Sequence, residues 1–86
     1  MMLKPLVLTA HARTRAENRK IKLSWIEDVA RKPDWIEPDP HDPMLERRFR
    51  AIGEFGGRFL RIVCAETDTA IRVISVMFDR NARRKP

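Results

Sequence analysis

His11, Arg15 and Arg19 recur at every fourth position, the spacing that stacks side chains along one side of a helix, so an imidazole and two guanidiniums would share a line. Such a line suits phosphate. Arginine offers a planar fork of donors, and histidine titrates close to neutral pH. Metal-independent RNA cleavage uses that combination: a base for the ribose hydroxyl, an acid for the leaving oxygen, and cations for the charged phosphorane. His11 as the proton-transfer group, with Arg61 and Arg72 as stabilising cations, are the catalytic candidates. The plain alternative is structural: His11 caps or packs at a strand-to-helix junction, and Arg15 and Arg19 bond acids such as Asp28 or those between Asp34 and Asp42.

Other reactive side chains carry less. His41 lies between Pro40 and Asp42 in an acidic stretch and reads as a solvated loop residue. Cys64 sits in an apolar strand segment, where a thiol behaves as a small hydrophobe rather than a nucleophile. Trp25 and Trp35 are core or interface residues, close enough in sequence to pack together around Pro33.

Arginine also dominates the charge balance. Of 18 basic residues 13 are arginine, set against 12 acids for a net charge of +6, which points to anionic partners: RNA or an acidic protein segment. One cysteine cannot form an internal disulfide, and no paired Cys/His spacing suggests zinc, so no metal or cofactor is expected. With only three glycines there is no glycine-rich phosphate loop. Leu6-Val7-Leu8 is too short for a signal-peptide core or a membrane span, so a cytoplasmic location without membrane association is the expectation. Eighty-six residues make one small domain, taken as 1–79 with a basic tail at 80–86. A core of that size is marginal, which favours a bound partner or a homodimer.

The elements that would position these residues follow from pattern. Pro5 to Thr9 reads as a short strand and Ala10 to Lys20 as a helix with Ala12 and Ala16 inward. Ser24 and Glu27 have capping-box spacing before a second helix, whose inner face is Trp25, Ile26, Val29 and Ala30 and which Pro33 ends. Asp34 to Asp42 allows at most a short edge strand; Met44–Ile52, Arg58–Ala65 and Ala70–Phe78 read as an antiparallel meander. The fold class is α+β, with both helices on one face of the sheet.

Register then decides which side chains meet. A tight turn at Thr67-Asp68 would put Leu60, Ile62, Cys64, Ile71, Val73, Ser75 and Met77 on the core face. Phe59, Arg61, Val63, Arg72, Ile74, Val76 and Phe78 would take the open one. A preceding hairpin centred on Phe55-Gly56 would set Phe49 opposite Ile62 in the core and Arg50 beside Arg61 outside. Arg48, Arg50, Arg61 and Arg72 would form a ridge across three strands, with Phe59 and Phe78 available for stacking. Like charges directly opposite destabilise a sheet by up to about 1 kcal/mol, so the ridge calls for an anion. Arg83 and Arg84 in the tail, with Arg15 and Arg19, extend the binding candidates. The bland reading keeps these arginines solvated and paired with Glu46, Glu54 and Glu66.

His11-Ala12, Arg15, Arg19 and Ile21 follow the order His-Ala-x-x-Arg-x-x-x-Arg-x-Ile after a strand ending in Leu-Thr. This resembles domain-of-unknown-function family 4258. The resemblance runs on through the second helix and Pro33, then through Glu46–Gly53 and Gly57–Val63. The C-terminal part, from Ile71-Arg72-Val73-Ile74-Ser75 to Asn81-Ala82-Arg83-Arg84, is also similar to the BrnT toxins of bacterial toxin-antitoxin pairs, grouped with the RelE and ParE fold. What the resemblance implies is a small antiparallel sheet carrying two N-terminal helices. Its basic open face would meet RNA or an acidic antitoxin, with metal-independent ribonuclease activity as one outcome. A non-catalytic module that binds a partner protein or a second copy through that face is the alternative.

Overall fold

Apolar periodicity and turn residues place the elements nearly where they form: β1 (Leu6–Leu8), α1 (Ala10–Asn18), α2 (Leu23–Arg31), β2 (Trp35–Pro38), β3 (Glu46–Ile52), a 3-10 turn (Gly53–Phe55), β4 (Arg58–Glu66) and β5 (Ile71–Phe78). The structure, a computed structural model, describes residues 3–83. It is α+β, with a five-stranded sheet in the order β1-β5-β4-β3-β2. Strands β2 to β5 form the antiparallel meander, and β1 adds to β5 in parallel. No helix is long and apolar enough to cross a membrane among the described residues.

Ala12 and Ala16 are the buried residues of α1, and their small side chains let the helix lie close against β5. Thr9, not His11, caps it: the Thr9 hydroxyl accepts from the Ala12 amide at 3.2 Å and donates to the Ile74 carbonyl. On α2 the buried face is Trp25, Ile26, Val29 and Ala30, as expected. The capping box does not form. Ile21 is buried and its amide closes α1 onto Ala16, so α2 starts two residues early with Lys22 as its N-cap, and Ser24 falls inside the first turn.

Both hairpin registers differ from the sequence reading, for identifiable reasons. Between β3 and β4 the turn Gly53–Phe55 is followed by Gly56 and Gly57 in left-handed conformation (φ 65° and 75°), a region open to glycine at little cost. The loop therefore takes all five residues, and Ile52 faces Arg58. That one-residue shift puts Arg48 opposite Ile62 and Arg50 opposite Leu60 on the helix-covered face, and Phe49 opposite Arg61 on the open face. Between β4 and β5 the turn centres on Asp68-Thr69, because the Thr67 hydroxyl accepts the Thr69 and Ala70 amides. Glu66 then pairs with Ile71, and a bulge between Val63 and Cys64 shifts the remainder. Leu60, Ile62, Cys64, Ile71 and Val73 are in the core as expected, but past the bulge Val76 is buried and Phe78 packs on the core, while Ser75 and Met77 move to the open face.

Candidate functional site

The expected arginine ridge does not form, because the sheet divides its members. Arg48 is 6% exposed on the helix side, where it donates to the Ala30 carbonyl, to Glu66 at 2.8 Å and to Glu46 at 3.1 Å. Burial alone would favour the neutral guanidine, but the bonds to Glu66 and Glu46 outweigh it and hold Arg48 above its ordinary pKa. Arg50 donates to the Lys32 carbonyl at 2.7 Å and lies 3.7 Å from Asp34. These two β3 arginines thus close the C-terminal end of α2, satisfying carbonyls that the helix leaves without partners.

On the open face, Arg61 pairs with Asp79 at 3.0 Å and contacts the Met77 sulfur. Desolvation, then the charge of Arg47, push its guanidinium below the ordinary value, against the pull of Asp79. Arg47 has its own carboxylate, Asp39, at 3.3 Å. Like charges do approach each other here, and neighbouring acids already balance them. Arg72 is exposed beside Ala65, separated from Arg61 by the Val63–Ser75 pair. Phe59 meets Trp35 edge-on (centroids 5.1 Å apart), and Trp35 in turn stacks on Phe49 at 4.6 Å. The two tryptophans do not pack together, since Trp25 lies on the helix side. His11 is exposed on α1, so the sheet separates it from Arg61 and Arg72 and the catalytic trio is not assembled. Cys64 is fully buried and desolvation pushes its thiol up to about 11, as a core residue. Arg83 is exposed past β5, and Arg84 lies outside the described residues.

A different arginine cluster forms where α1 passes the β4–β5 end of the sheet. Arg15 on α1, Arg19 at its C-cap, Arg58 at the start of β4 and Arg80 just after β5 line a recess of about 310 Å³. Its floor is aromatic: Phe55 stacks on Phe78 with centroids 4.7 Å apart, and Trp25 backs both. The Arg58 guanidinium sits 5.1 Å from the Phe55 centroid and 5.7 Å from that of Phe78, within cation–π range of both rings. No carboxylate belongs to the lining, and among the described residues none of the four arginines has an acidic partner within 4.0 Å. A second recess of about 330 Å³ continues from it across Arg58, Phe78 and Arg80 to Phe59, and its lining includes Asp79, the carboxylate that Arg61 pairs with.

Only half of this cluster stands out in the sequence. Arg15 and Arg19 are marked by helical spacing and Phe78 by its aromatic type, but Phe55, Arg58 and Arg80 go unnoticed. Phe55 and Arg58 flank the glycine pair, so recognising that both glycines stay in the turn would have brought them together beside α1. An α+β sheet with two helices on one face and an unbalanced basic recess at its edge defines the class of domain. The family model described as Domain of unknown function (DUF4258) matches residues 8–78, and the chain belongs to that family. No curated protein and no solved structure matches the chain.

Proposed function

We propose that this chain binds single-stranded RNA, in the manner of a toxin-type protein of the RelE and BrnT kind, at the recess of Arg15, Arg19, Arg58 and Arg80 rather than on the open sheet face. One observation carries this reading: four guanidiniums from three segments converge around an aromatic floor with no carboxylate among them. A cleft of uniform charge concentrates counter-ions of opposite sign. Arginine forks suit phosphate oxygens, and exposed aromatic and guanidinium planes supply sequence-tolerant stacking for bases. The arginines of β3 and Arg61 do not support the reading, since they hold α2 or pair with acids.

Binding is the part of the proposal that these residues support best. The lining holds neither histidine nor carboxylate, and His11, one helical turn before Arg15, is not part of it. Fluorescence anisotropy with a labelled single-stranded RNA tests the reading. Affinity should fall steeply with added salt, and Arg58→Ala should weaken it about tenfold. An RNA that fails to bind at low salt, or binds equally to wild type and to Arg58→Ala, overturns it. Incubation of the complex in EDTA addresses cleavage separately: intact RNA makes the chain a binding protein, and cutting that His11→Ala abolishes makes it a metal-independent ribonuclease.

A further inference from the structure

The charge inside the recess exceeds what a passing RNA strand supplies. Each internal phosphodiester carries a single negative charge, and a recess of about 310 Å³ has room for little more than one nucleotide. Four arginines line it without an acid. Arg15 is half-buried, whereas Arg19, Arg58 and Arg80 are exposed. Arg58 already lies over the stacked pair of Phe55 and Phe78, and such contacts reduce the side-chain freedom lost on binding.

We infer that the recess is a receptor for a multiply charged phosphate group, a terminal phosphate or pyrophosphate borne by a nucleotide. Two or more negative charges at one point match the four converging guanidiniums better than a diester does, and several oxygens can accept from several forks at once. The adjoining recess beyond Arg58, walled by Phe59, Phe78 and the Arg61-paired Asp79, carries less net positive charge and lies where an attached nucleoside would extend. The choice of an RNA end as the source rests on the RNA reading above; a free nucleoside di- or triphosphate presents the same chemistry.

Four oligonucleotides of one sequence, ending in a 5′-hydroxyl, a 5′-phosphate, a 5′-triphosphate or a 3′-phosphate, separate these cases in a single titration, with pyrophosphate and ATP as unlabelled competitors. A phosphorylated end should bind about tenfold more tightly than the hydroxyl end, with a salt dependence steeper by about one unit of slope. Arg80→Ala and Arg58→Ala, both at exposed positions, should erase that preference while leaving the melting temperature nearly unchanged. Equal affinity for all ends, with pyrophosphate failing to compete, would overturn the receptor and leave the RNA reading standing. Pyrophosphate or ATP bound through Arg58 and Arg80, with no RNA bound at all, would support the receptor and overturn the RNA reading.

Discussion

The β3 arginines and the recess arginines differ in their surroundings rather than in their type. Arg48, buried, and Arg50, partly exposed, are both engaged by acceptors: carbonyls at the end of α2, Glu46, Glu66 and Asp34. Arg15, Arg19, Arg58 and Arg80 face one another across an aromatic floor with no carboxylate in the lining. The first group spends its donors on folding, and the second keeps them for an outside anion. Counting arginines on a basic chain therefore says little about binding until each guanidinium is assigned its acceptors.

Substitutions can break this contrast, and the largest effect belongs to the folding group. Arg48→Ala should cost about 3 kcal/mol, because it strips Glu66 and Glu46 of a buried partner and leaves the Ala30 carbonyl without its donor; urea denaturation reads this directly. Next in size, Arg58→Ala should lower RNA affinity by about 1.4 kcal/mol, a factor of ten, with a much smaller change in the urea midpoint. If Arg58→Ala unfolds the chain and Arg48→Ala spares it, the two groups have been assigned the wrong way round.

Glu66 sharpens the folding side through pH. Lys4 first, then Arg48, hold its carboxyl down to about 2, below its ordinary value of 4.5. A depressed carboxyl contributes stability that is complete above the ordinary value and is lost as pH falls through the folded one. The wild-type advantage over Glu66→Gln should thus be present at pH 6, shrink below about pH 5 and be gone near pH 2. Its size should be about 1 kcal/mol at most, since the carboxylate is more than one-third exposed and water screens the pair. Smallest of all, Arg72→Ala should change RNA affinity less than about twofold, as its side chain stands on the other face from the recess.

These contrasts also show what the amino-acid order could reveal. Helix faces were legible because Trp25, Ile26, Val29 and Ala30 repeat with helical period, and the strands because apolar runs end at glycine, proline and threonine turns. The side assigned to each arginine of β3 was not, since Glu46-Arg47-Arg48-Phe49-Arg50 lacks alternation and its register hinges on whether Gly57 joins the strand or the turn. In β5 both parities of Ile71–Phe78 are largely apolar, so nothing in the pattern marks the bulge that turns Val76 and Phe78 inward. The recess needs three separated segments to meet, and helical spacing exposes just one of them.

An amide chemical-shift map recorded during titration with single-stranded RNA tests the RNA assignment most directly. Shifts should concentrate at Arg15, Arg19, Phe55, Arg58 and Arg80, with Val63 and Arg72 unmoved. Shifts confined to the open face around Arg61 and Arg72, or none at saturating RNA, would contradict it.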